Sequence, residues 1–186
     1  MKIITTPNSY LRHTAKPVST ITKKTLSEIK EMISTLKAAT DPEGVGLAAT
    51  QVGIDKRIFI LLQANKATVH INPKITSLSK LTVADKYPDE DKRPLEGCLS
   101  IPRIWGFVNR PYRVKVEYQT LDPESNSTIT KIVKKKLEGF RAIAFQHETD
   151  HLNGILFTDH ILKQNGTILK ETPNGLRPIK LNLDSF

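Results

Sequence analysis

Gln146-His147-Glu148-Thr149-Asp150-His151-Leu152-Asn153-Gly154 is the stretch on which the reading of this chain turns. On a helix, residues four apart stand one turn apart on the same face. His147 and His151 therefore bring two imidazoles to one point, while Glu148 reaches the water such a point would hold. Upstream, Leu137, Phe140 and Ala144 keep the same three-four spacing, which predicts one helix running from Leu137 with both histidines facing the core and a stop at Gly154. Buried imidazoles need partners, and this HExxH spacing suits a metal ion. The competing picture, a surface helix with two solvated histidines, leaves the apolar stripe without a purpose.

A metal that does chemistry needs a third protein donor and a position left open for water. The extended pattern HExxHxxGxxH fails, because Phe157 stands where its third histidine would be. Glu171 is the best-spaced downstream carboxylate, but the turn sequence Thr172-Pro173-Asn174-Gly175 follows it and makes it a poor helical ligand. That leaves Cys98, in Glu96-Gly97-Cys98-Leu99-Ser100. It is the chain's one cysteine, so it has no internal disulfide partner. A lone cysteine is often only a small buried apolar residue, and a nucleophilic role would leave HExxH unexplained. A thiolate beside two neutral imidazoles makes a three-donor set.

A second segment, Gly44-Val45-Gly46-Leu47-Ala48-Ala49, has the loose form of a dinucleotide fingerprint. Its context is wrong, since a helix and Asp41-Pro42 precede it rather than a strand. The glycines are better read as letting the backbone approach a substrate, with Gln51 close by to offer an amide donor to a developing oxyanion.

Outward from these blocks, Leu26, Ile29, Ile33 and Leu36 form one stripe of an N-terminal helix capped by Thr22 or Thr25 and closed off by Asp41-Pro42. Residues 57–62 and 69–75 read as strands, the second broken at Asn72-Pro73, and 79–94 as a polar loop leading to Cys98. Arg113 to Gln119 alternates, with Val114, Val116 and Tyr118 on one face, and pairs with Thr128 to Val133 as a hairpin. Beyond Asp159, Gly166, Pro173, Gly175 and Pro178 exclude a long terminal helix.

At 186 residues, with 38% hydrophobic and 25% charged side chains, the chain suits one domain spanning 1–186. No apolar run approaches the roughly 20 residues that cross a bilayer, and residues 1–9 lack the marks of a signal or transit peptide, so a cytoplasmic protein without membrane contact is expected. The net charge of +9 favours encounters with polyanions. The densest run, Lys131 with Lys134, Lys135 and Lys136, reads first as the solvated face of a strand.

Taken together and in order, Gly44 to Gly53, Glu96 to Ser100 and Gln146 to Gly154 resemble the three signature motifs of the peptide deformylases, and Thr6-Pro7-Asn8 through Lys16-Pro17-Val18 resembles the N-terminal stretch of that family. The similarity runs from about Ile3 to Asp159. It implies an α+β fold, with antiparallel sheets around a central HExxH helix and an N-terminal helix. It also implies hydrolytic removal of the formyl group from N-formylmethionyl nascent peptides. By motif position, Cys98, His147 and His151 would hold the metal, Glu148 would be the acid/base, and Gln51 with the Leu99 amide would meet the oxyanion. Val45, Gly46, Phe140, Ile143 and Ala144 would contact substrate. The resemblance suggests Fe2+ as the ion, with Zn2+ or Ni2+ as other occupants, and a transient ribosome contact without specific DNA binding. Arg103-Ile104-Trp105-Gly106 aligns with no motif of the family, and the broken tail differs from the helical C-terminus of some of its members. Two other readings compete: an HExxH endopeptidase, which lacks its downstream ligand, and a basic nucleic-acid module with a structural metal, which would want four closed ligands.

Overall fold

The apolar stripe near the N-terminus folds as helix α1, Lys23–Ala38, and Thr22 caps it by accepting the Thr25 N–H. Leu26, Ile29, Met32, Ile33 and Leu36 are its buried side, set against strands β1 and β2, Gly46–Ala48 and Ile58–Gln63. The computed structural model describes residues 1–125, 127–128 and 130–180. Strand β3 covers Lys66–Leu78 and continues through the Asn72-Pro73 break. The proline is accommodated by a register shift between Ile71 and Lys74, with Asn72 at φ +50 and its side chain tied to both backbone groups of Val18. Residues 79–94 are not wholly loop, since Thr82 caps a single turn, α2, Val83–Lys86.

Strand β4 is Glu96–Cys98, β5 Ile101–Gly106, β6 Arg113–Thr120 and β7 Lys131–Glu138. The β6–β7 hairpin is present, but its second strand lies further along than expected, paired from Thr120 with Lys131 to Arg113 with Glu138. The lysine run is therefore the strand itself. Leu137 accordingly belongs to β7 and not to the helix. Gly139, at φ +58 and ψ −137, turns the chain there, and helix α3 runs Phe140–His151. The spacing of Leu137 mimicked one further helical turn, but a glycine in that backbone region ends the strand and starts the helix afresh. Gly154, at φ +71, lies just past the end of α3 as expected.

Among the described residues all strand pairs are antiparallel and fall into two sheets, β1-β2-β3-β6-β7 and a second built on β4 and β5. After α4, Phe157–Lys163, the tail forms the hairpin β8, Ile168–Thr172, and β9, Gly175–Ile179, which extends the second sheet to β4-β5-β8-β9. The breakers did exclude a long terminal helix, and they mark the ends of this hairpin. Helix α3 lies against β1, β2, β3 and β7, and Glu96–Cys98 approaches it from the second sheet. The N-terminal segment stitches the two sides, with the Ile4 N–H donating to the Gln51 carbonyl and the Thr6 N–H to that of Ser100. No helix among the described residues is long and apolar enough to cross a membrane.

Candidate metal centre

His147 and His151 project from successive turns of α3 and are buried, His151 to 1% exposure. Their ring centroids are 4.9 Å apart. Cys98, at the end of β4, meets them, and the three donor atoms lie within 4.8 Å of one another. The Cys98 Sγ is 3.1 Å from the His151 Nε2. The Ser100 backbone N–H and the Gln51 Nε2 each approach the same sulfur at 3.4 Å, as hydrogen bonds that help to hold a thiolate in place. Gln51 cannot turn freely, because its Oε1 accepts from the Ala48 N–H and its Nε2 donates to the Ser100 Oγ.

Each imidazole is held differently. The His147 Nδ1 lies 2.8 Å from the Glu96 Oε2, which leaves Nε2 for a ligand. Glu96 in turn takes a two-point ion pair from Arg110, through Nε to Oε1 at 2.6 Å and Nη2 to Oε2 at 3.0 Å. The Arg110 Nη1 reaches the Asp150 Oδ2 at 2.7 Å, and the His160 Nε2 lies 2.9 Å from that same oxygen. A hydrogen-bonded chain therefore runs from the buried His147, Glu96 and Arg110 out to the half-buried Asp150 and His160. Glu96 and Arg110 were not given roles from the sequence. The only signal was a carboxylate two residues before a donor cysteine, and the partner 14 positions later has no local signature. His151 is anchored through its backbone, its carbonyl accepting from the Thr50 hydroxyl at 3.0 Å.

The electrostatics favour a cation at this point. Burial opposes the charge on Glu96, but Arg110 and His147 outweigh it and hold the carboxyl down to about 2. Burial likewise opposes a proton on His147, yet Cys98 and Glu96 carry its pKa well above the ordinary value. Burial and the neighbouring His147 push His151 the other way. The raised pKa of His147 shows that its surroundings call for positive charge, and a divalent ion between the donors supplies it without protonating an imidazole. The donor set of two nitrogens and one sulfur suits a borderline-soft ion such as zinc or iron.

Glu148 is also buried, its Oε2 has no hydrogen-bond partner, and its pKa is pushed up to about 7, chiefly by burial. An unpartnered carboxyl oxygen against three convergent donors is the arrangement that a proton-shuttling group beside a water requires. Gly46 makes this placement feasible. A Cβ there would lie 2.2 Å from the Glu148 Oε1, so the missing side chain is space for the glutamate as well as for a substrate.

A cavity of about 170 Å³ opens beside the donors, lined by Val45, Gly46, Leu99, Phe140, Ile143 and Ala144 among others. Every residue assigned to the site from the sequence borders it except His151, which sits beneath. Trp105, left unassigned from the sequence, lines it as well. It pairs with Gly97 across β4 and β5, and its ring lies so flat there that a Cβ on Gly97 would be 2.7 Å away. Phe140 is 61% exposed, so the apolar stripe of α3 continues past the core onto the cavity rim.

An HExxH helix completed by a thiolate, inside an α+β frame of antiparallel sheets, defines a metal-dependent hydrolase. The chain's own relatives narrow this class. Residues 1–166 match the family model for polypeptide deformylase. The peptide deformylase of Halothermothrix orenii is 42% identical over 155 residues, covering 82% of this chain and 88% of the relative. The crystal structure of the peptide deformylase from Thermotoga maritima superposes with a TM-score of 0.71 at 37% identity, over 86% of this chain and 95% of that one. An actinonin-bound class I type b peptide deformylase from Acinetobacter baumannii gives 0.68 at 34%, over 86% and 96%. The chain belongs to the polypeptide deformylase family.

Proposed function

We propose that Cys98, His147 and His151 hold one divalent ion and that Glu148 moves the proton as the formyl group is hydrolysed from the N-terminal methionine of nascent polypeptides. The carrying observation is the convergence of three donor atoms within 4.8 Å beside a buried glutamate whose carboxyl oxygen has no partner. The ion, when bound, would polarise the formyl carbonyl and make its water acidic enough to attack near neutral pH. Glu148 takes a proton from that water and returns it to the leaving amine, a task suited to a carboxyl with its pKa near 7. The Gln51 Nε2–H that now meets the Cys98 sulfur would, once that sulfur is ligated, serve with the Leu99 amide on the cavity wall as donor for the charge that develops on the formyl oxygen. Val45, Gly46, Phe140, Ile143 and Ala144 receive the methionine side chain.

Fe2+ is the ion proposed in the cell, with Zn2+ and Ni2+ as occupants the same donors accept. The reading extends to a single catalytic domain over 1–186, a cytoplasmic location and a transient ribosome contact favoured by the net charge of +9. The endopeptidase alternative is not favoured, because family membership and the Cys98 donor both point away from it. Anaerobic purification with metal analysis, followed by formate release from formyl-Met peptides, tests the reading. Glu148→Ala is expected to keep its metal and lose about a hundred- to ten-thousandfold in rate. Wild-type turnover in that variant would remove Glu148 from the mechanism.

A further inference from the structure

Helix α3 has a second cavity on its other flank, about 230 Å³ in volume. It shares Val45, Phe140 and Ala144 with the methionine cavity, so the two are separated by the thickness of one side-chain wall. Their charge differs in kind. Glu43, Glu96 and Glu148 line the first, with no lysine or arginine, whereas Lys135, Lys136 and Arg141 line the second, with no carboxylate. All three cations are exposed, and none has a carboxylate partner among the described residues. Arg141 is fixed at the rim: with the Gln63 amide turned so that its oxygen faces the guanidinium, that oxygen accepts from Nη2 at 2.6 Å and Nε at 3.2 Å. The floor consists of the buried His70 and Tyr118, with Leu61 and Leu137 on the walls, and suits an apolar stem.

We infer that this second cavity reads the nascent peptide beyond its methionine, accepting an acidic side chain at one of the two residues that follow. The inference rests on the proposed methionine cavity. An extended peptide rises about 3.3 Å per residue, so one or two residues carry it across the shared wall of Val45 and Phe140. A short aliphatic stem ending in a carboxylate then meets apolar walls and a rim of unpaired cations. A neutral side chain of equal length would gain only the packing, and a basic one would be repelled.

The test compares kcat/KM at low salt for formyl-Met-Glu-Ala, formyl-Met-Ala-Glu and their Gln and Lys counterparts. Glutamate is expected to exceed lysine by about three- to tenfold at one of the two positions, with glutamine between, and high salt should compress the spread. Arg141→Gln and Lys135→Gln should bring the three substrates towards parity while leaving the glutamine peptides at the wild-type rate. Equal rates for glutamate and lysine at both positions, or a preference that survives both substitutions, would overturn the inference. Because only a ratio is read, steady formate release from the glutamine peptides shows that deformylation itself holds. Release from no peptide at all would bring down both readings.

Discussion

Helix α3 separates two buried histidines that the protein treats in opposite ways. Towards the second sheet, His147 is held by Glu96, Arg110 and Asp150, a succession of charges that keeps the site polar and ready for a cation. Towards the first sheet, His70 stacks on Phe59 at 4.5 Å and meets the tilted ring of Tyr118 at 4.4 Å, its Nδ1 has no partner among the described residues, and burial pushes its pKa down to about 3. The same side chain thus presents a free ring nitrogen beside two other donors where a carboxylate orients it, and is a neutral aromatic plate where none does. Burial alone does not make a histidine functional. What matters is the group at its other nitrogen.

The contrast can be broken most severely at Arg110. Arg110→Leu leaves Glu96 as a buried carboxylate without its cation, and a loss of about 3–5 kcal/mol is expected in denaturant unfolding of the metal-loaded protein. A loss within about 0.5 kcal/mol, the range of an ordinary surface substitution, would show that solvent reaches this carboxylate. Glu96→Gln keeps the shape but weakens the acceptor for His147. Metal affinity measured by competition with a chelator should fall about 10- to 100-fold, while the fold persists. Unchanged affinity would mean that α3 orients the imidazole without help.

The smallest effect is expected on the aromatic side, as a pH dependence. The folded pKa of His70 lies below its unfolded value of about 6.5, so the unfolded chain binds the extra proton between pH 6.5 and 3. Its stability contribution is complete above that window and lost as pH falls through it, by roughly 2 kcal/mol at pH 5. His70→Phe keeps the stack and should lack this slope when unfolding free energies of the two proteins are subtracted at each pH. Parallel curves would show that His70 is protonated inside the fold.

How much of this was legible beforehand depends on sequence distance. The HExxH spacing is complete within five residues, so the juxtaposition of the two histidines could be read directly, and Cys98, the one cysteine left to propose, does lie beside them. Arg110 joins positions 96 and 150 across three separate elements, and nothing local marks it. Leu137 misled because a spacing of three fits the last residue of a strand as well as the first of a helix, and only the backbone of Gly139 distinguishes them. The extent of β7 was missed for a related reason: lysines every one or two positions carry no alternation, and the pairing with β6 alone gives them their register.

The hairpin of β8 and β9 falls beyond the residues that match the family model, yet β8 is hydrogen-bonded to β5, and β5 to the strand that ends in Cys98. The Trp105 Nε1 donates to the Glu171 Oε2 across the same seam. During synthesis, Cys98 therefore leaves the ribosome some seventy residues before the last strand that braces it is made, while α3 can coil as soon as His151 is out. A protein that removes the formyl group from the first residue of other chains would then gain its own full competence only after residue 172 is made, with the sulfur arm of the site locked last.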